Sequence, residues 1–149
     1  MAYNVLEIAN ELLLKTEAMS GGEEFMTNMK LQKMLYYQQG FHLAYFGTPL
    51  FDEDIEAWMY GPVVPSVYNN YKENGKGGII PNKEKIFKFK NEKEEALFNE
   101  VFRVYGVYSA LGLMEMTHSE VPWKSTQTGE GNVISKDKIK SFFKSRLKK

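Results

Sequence analysis

Two histidines, His42 and His118, are present in the 149-residue chain. With a carboxylate such as Glu56 they could form an acid–base or metal centre, because imidazole titrates near neutrality and ligates metals through either ring nitrogen. Their spacing argues against it. Neither histidine has a second His or a carboxylate four residues away on a common helix face, and no serine nucleophile elbow or glycine-rich phosphate loop stands beside them. His42 follows Gln38 by four residues and Leu35 by seven, on the buried side of a helix, so a hydrogen-bonded structural role is expected for it. Asp52, Glu53, Asp54 and Glu56 crowd carboxylates together, as a divalent cation would favour. They lack the alternating spacing and turn glycine of a calcium loop. In an extended segment Asp52, Asp54 and Glu56 share one face while Glu53 points away, so a solvated acidic loop is expected. Asn74-Gly75-Lys76-Gly77-Gly78 lacks the spaced glycines and the Lys-Ser/Thr ending of a nucleotide loop. The absence of cysteine removes thiolate nucleophiles, disulfides and zinc sites of the Cys type. No catalytic residue, metal ligand or cofactor is therefore assigned.

The aromatic residues suggest a different kind of work. Phe, Tyr and Trp make up 14% of the chain, enough both to fill a core and to supply anchors for a partner protein. Trp58, Tyr60, Tyr68, Trp123 and the pair Tyr36-Tyr37 flank turns or helix faces where rings could line a groove; core packing is the alternative, and Trp58 and Trp123 sit beside turn-forming prolines with an indole N–H that needs a partner. Lys plus Arg and Asp plus Glu are 19 each, which leaves no net field to draw in nucleic acid or an anionic membrane, and the basic C-terminal stretch follows no helix-turn-helix pattern. Nucleic acid is not expected as a partner. No apolar run approaches the roughly 18 residues of a membrane span, and MAYNVLEIANELLLKTEAM is not a secretory leader, so a cytoplasmic protein is expected.

The elements that must position these residues are mostly helices. Asn4 with Glu7 is a capping pattern, followed by Val5, Ile8, Ala9, Leu12 and Leu13 at helical spacing, and Ser20-Gly21-Gly22 ends that helix near Met19. A second start at Thr27 or Asn28 opens a run to Tyr45 that is apolar or aromatic on most of its circumference and so is expected to be central. Ile55 to Tyr60 alternates like an extended segment, Gly61-Pro62-Val63-Val64-Pro65 reads as a stiff turn, and a short helix follows through Val67, Tyr68 and Tyr71. Ile86 to Phe89 reads as a second short strand. Asn91 with Glu94 caps a long helix marked by Leu97, Val101, Val104, Tyr105 and Tyr108. Ser109 caps another helix carrying Leu113 and Met116 towards His118. After the Val121-Pro122-Trp123 turn and a polar loop to Asn132, Ser135 opens the last helix, with Ile139, Phe142, Phe143 and Leu147 on one face and a basic end from Lys144 to Lys149. The expectation is a mainly α, compact single domain over residues 1–149, with five to six helices and room for one short β-strand pair.

Three stretches of the chain together resemble a known family. Lys30-Leu31-Gln32-Lys33-Met34-Leu35-Tyr36-Tyr37, with Gln39-Gly40-Phe41-His42-Leu43-Ala44, resembles the opening signature of the Panacea domain of SocA-like antitoxins. Pro49-Leu50-Phe51-Asp52, Glu56-Ala57-Trp58 and Tyr60-Gly61-Pro62-Val63-Val64-Pro65-Ser66-Val67-Tyr68 resemble its second block, and Thr117-His118-Ser119-Glu120 with Pro122-Trp123 its third. The resemblance implies a mostly helical, non-enzymatic, phage-associated protein, common in prophages. It would be the antitoxin of a two-gene toxin–antitoxin system, neutralising a cognate toxin encoded by the adjacent gene through direct protein binding. It also implies an alternative, an adaptor that delivers its client toxin to a ClpXP-type protease; an enzyme using His42, His118 and Glu56 is the rival from another class. Some relatives carry a DNA-binding domain, for which no room is expected before residue 5 or after residue 147. The family's motif falls on Lys30, Gln32, Tyr36, Tyr37, Gln39, His42, Glu56, Trp58, Tyr68, His118 and Trp123, which become candidate partner-binding positions without an assigned role. Gly61, Pro62 and Pro122 belong to the same motif and are expected to set turns.

Overall fold

The first helix, α1 (Val5–Met19), begins where the capping pattern places it, with Asn4 Oδ1 accepting from Leu6 N at 2.9 Å. The computed structural model describes residues 2–147; Lys148 and Lys149, the tip of the expected basic end, lie outside the described residues. α2 (Asn28–Phe46) is capped by Thr27, whose Oγ1 accepts from Lys30 N at 3.2 Å, and stops at Gly47, which takes the left-handed conformation with φ 79°. Every residue from Leu31 to Gly40 is buried. A helix enclosed on all sides must be the core of its domain, and α2 packs against α1, α3, α4, α5, α7 and the sheet. Gly40 makes the closest of these approaches possible, since a Cβ there would overlap the Phe143 ring of α7.

The sheet is larger than one strand pair. β1 (Ile55–Trp58) is the expected extended segment, and it pairs antiparallel with β2 (Gly61–Val63) in the register Glu56↔Val63, Ala57↔Pro62 and Trp58↔Gly61. The tight turn is therefore Met59-Tyr60, and Gly61 and Pro62 start a strand that sequence reasoning read as turn. Proline is tolerated there because β2 is an edge strand in the order β2-β1-β3. β3 (Val133–Ile134) comes from the stretch just after the polar loop and takes the other edge of β1. With both edges of β1 occupied, Ile86 to Phe89 has no partner strand among the described residues and is irregular, contrary to expectation. Its alternating rings instead cover Tyr3, with Phe87 and Phe89 each 5.4 Å from it edge-on.

α3 (Pro65–Tyr71) follows with Pro65 in its first turn, then a single 3₁₀ turn (Lys72–Asn74). α4 (Glu92–Tyr105) is capped by Asn91 as expected, but its buried face is Phe98, Val101 and Phe102; Val104 is exposed and Tyr108 lies beyond the helix end at Gly106. α5 (Ala110–His118) begins at Ser109, α6 (Val121–Lys124) is a one-turn helix with Pro122 in its first turn, and α7 (Lys136–Lys144) begins at Ser135. Among the described residues the protein thus has seven α-helices, packed about α2, and a three-stranded sheet: a mainly helical single domain with one helix and one strand more than expected. No helix among the described residues is long and apolar enough to cross a membrane.

Candidate partner-binding groove

The polar residues of α2 divide into those that build the fold and those that face a groove. Gln32 lies 2% exposed; its Oε1 accepts from Val64 N at 2.9 Å and its Nε2 donates to Asn28 Oδ1 at 2.8 Å, tying the chain after β2 to the helix. Gln39 does the same for the chain before β1, accepting from Leu50 N at 2.7 Å and donating to Phe51 O at 2.8 Å. Tyr36 and Tyr37 are fully buried and each donates its hydroxyl to Glu120, at 2.9 Å to either carboxylate oxygen. Burial and the facing carboxylate hold both phenols far above their usual range. Burial also raises Glu120, against the lowering effect of the two tyrosine hydroxyls. His42 sets Nδ1 2.6 Å from Thr48 O and Nε2 2.6 Å from Glu94 Oε2, while Tyr3 donates to the other Glu94 oxygen at 2.5 Å. Burial works against ionising Glu94, but the bonds from Tyr3 and His42 outweigh it and keep the carboxyl below its usual value. These side chains have their hydrogen bonds satisfied inside the protein, the condition for burying them at low cost.

The enzyme arrangement is not assembled. His42 is held by Thr48 and Glu94, His118 stacks on Trp123 with centroids 3.9 Å apart and planes at 15°, and Glu56 accepts from Trp58 Nε1 at 2.9 Å and Gly131 N at 2.8 Å. The three share no hydrogen bond or ring contact. Of the acidic stretch, Asp52 to Asp54 are exposed and Asp54 pairs with Lys136 at 3.0 Å.

A groove of about 930 Å³ opens where the start of α2, the β1–β2 hairpin and the 128–130 loop meet. Its walls include Met29, Trp58, Met59, Tyr60 and Tyr68, with Met59 66% and Tyr60 59% exposed. Trp58 meets Tyr68 edge-on at 5.0 Å, and Trp123 locks the hairpin by donating Nε1 to Trp58 O at 2.8 Å. Lys33 also lines the groove. It is 2% exposed, its only acceptor among the described residues is Met29 O at 3.2 Å, and it forms no ion pair with any of them; burial pushes its ammonium down to about 8. Gly61, at φ 124°, lies against the Lys33 stem: a Cβ on this residue would stand 3.1 Å from Lys33 Cε. His118 Nε2 is buried without a hydrogen-bond partner among the described residues, and burial, with the nearby Lys33 charge, lowers its pKa against a Met59 backbone bond that raises it.

The expected positions are thus brought together in two groups. Trp58 and Tyr68 line the groove, with Glu56, His118 and Trp123 supporting its hairpin wall; Gln32 lines it with an amide already committed to Val64 and Asn28. Tyr36, Tyr37, Gln39 and His42 turn inward, and Lys30 donates Nζ to Gly106 O at 2.6 Å, holding the end of α4. Tyr60, expected with Trp58 and Tyr68 among the rings that could line a groove, does so; sequence reasoning missed Lys33 and Met59 as groove residues and Glu94 and Glu120 as acceptors for inward-facing side chains. Both charged residues had a signal, Glu120 beside His118 in the third motif block and Lys33 beside Gln32 in the first, but neither block separates a buried charge from a solvated one.

The arrangement defines a helical protein with an open groove lined by aromatic and thioether side chains. Residues 31–124 match the family model of the SocA-like antitoxins, Panacea domain, and the chain belongs to that family. It is also 41% identical over 73 residues to Antitoxin SocA of Caulobacter vibrioides (strain NA1000 / CB15N), an alignment covering 49% of this chain and 37% of that protein. The chain therefore aligns with well under half the length of this curated relative. No solved structure matches the fold.

Proposed function

We propose that the protein is the antitoxin of a two-gene system, which neutralises a toxin encoded by the neighbouring reading frame by binding it directly in the cytoplasm. The family match over residues 31–124 carries this reading, because the matched region contains most of α2, the β1–β2 hairpin and hence the main groove walls. Affinity is the whole mechanism: the exposed Met59 and Tyr60 and the half-buried Trp58 and Tyr68 supply the aromatic and thioether anchors that concentrate binding energy in protein interfaces. The inward-facing hydrogen bonds of Gln32 and Gln39 hold the hairpin in place, so little ordering entropy is lost on association. Inducing the neighbouring gene alone and together with this one tests the proposal. Growth arrest by the neighbour, relieved by this protein with recovery of a complex of the two, is expected. A neighbour harmless on its own, or still lethal beside this protein, removes the reading.

A further inference from the structure

Lys33 is an unusual wall for an apolar groove. An ammonium has three N–H donors, and Lys33 has one acceptor among the described residues, the Met29 carbonyl of its own helix. A buried charge without a counter-ion is costly, and proteins ordinarily pair it. Gln32, Gln39 and Glu120, also buried, are each paired, whereas His118 Nε2, near the Lys33 charge, is buried with no hydrogen-bond partner among the described residues. The other charged groups lining the groove are Lys72, Lys76 and Glu130, all exposed, so the lining carries three cations against one anion in a chain that is neutral overall.

We propose that the groove accepts a segment of the partner protein that places an Asp or Glu side chain on Lys33 and flanking apolar side chains on Met29, Trp58, Met59 and Tyr60. The carboxylate would supply a counter-charge to an ammonium that burial has already desolvated, where a charge-assisted hydrogen bond is stronger than in water. Gly61, lacking a Cβ, leaves room for the Lys33 stem, and the bond to Met29 O positions the ammonium before the partner arrives. A volume near 930 Å³ is larger than one side chain fills and suits a stretch of chain.

This inference rests on the partner-binding reading, but its test needs no toxin. The probes are three capped peptides added to the isotope-labelled full chain while the Lys33 side-chain NMR signal is followed: Ac-Leu-Glu-Leu-NH2, Ac-Leu-Gln-Leu-NH2 and Ac-Leu-Gln-Leu-OH. The Glu peptide is expected to shift the signal saturably and to move the Lys33 titration midpoint upward from about 8, with the two Gln peptides binding at least about tenfold more weakly. Lys33→Met should stay folded and lose the Glu preference. Equal response to the Glu and neutral Gln peptides, or none to any, overturns the proposal. A response to the free C-terminus as strong as to Glu overturns the assignment to an internal side chain. A Glu preference alongside failed growth rescue would reject the antitoxin reading and keep the site; rescue without a Glu preference would do the reverse.

Discussion

Gln32 and Lys33 are neighbours on α2, each 2% exposed, and their surroundings are opposite. The Gln32 amide has an acceptor for its N–H and a donor for its oxygen, both from the structure it fastens. Lys33 has a charge, three donors and one backbone carbonyl. The contrast separates two reasons for a polar residue to be buried. One set ties irregular backbone to the central helix, and the other lines a cavity with chemistry left unfinished.

Removing the strongest member of the first set should have the largest effect. Glu120→Ala strands the Tyr36 and Tyr37 hydroxyls in the core, and at about 1–3 kcal/mol for each buried donor left unpaired the loss should be about 2–6 kcal/mol. Urea and thermal melts read it, as a midpoint drop on the order of 10 °C; a loss below about 1 kcal/mol would mean the tyrosines find other partners.

The neighbours themselves provide the sharpest form of the comparison. Gln32→Leu should cost about 1–3 kcal/mol by orphaning Val64 N and Asn28 Oδ1, whereas Lys33→Met should stabilise by about 1–3 kcal/mol at neutral pH. The sign for Lys33 follows from linkage. Its folded value, about 8, lies below the ordinary 10.5, so the unfolded chain binds more protons between these values and wild-type stability should rise with pH across that window. In Lys33→Met this rise should vanish. Two apolar replacements with the same sign of effect would erase the distinction between the residues.

Glu94 gives a smaller effect, in acid. Its carboxyl is held below 4.5, so its contribution is present above the unfolded value and is lost as pH falls through the folded one. Glu94→Gln should flatten the acid limb of stability against pH, by about 1 kcal/mol or less; an unchanged limb would place the acid sensitivity elsewhere. Smallest of all, Met59→Ala with Tyr60→Ala should leave stability within about 0.5 kcal/mol, because both side chains are largely in solvent.

Much of the helical frame was legible in the chain. Asn4, Thr27, Asn91, Ser109 and Ser135 each cap the helix that follows, since a short polar side chain before an apolar period has a local consequence. The sheet was legible only in β1. β2 contains a proline and a glycine, residues that signal turns locally, and it is a strand because β1 needs an edge partner; β3 is two residues long and carries no periodic pattern. The candidate site was legible as motif positions but not as a division of labour. Tyr36 and Trp58 look alike in sequence, and only the location of Glu120 and of the hairpin shows that one ring faces the core and the other the groove. Lys33 could not be distinguished from any solvated lysine, because its isolation depends on which carboxylates the fold keeps away.

Growth rescue measured with the neighbouring gene and the Met59→Ala, Tyr60→Ala double variant tests the central claim most directly. Wild-type protein should restore growth against the induced neighbour, and the double variant, equally folded and equally abundant, should fail to do so and should not recover the complex. Full rescue by the double variant would contradict the account by placing toxin neutralisation on another surface of the protein.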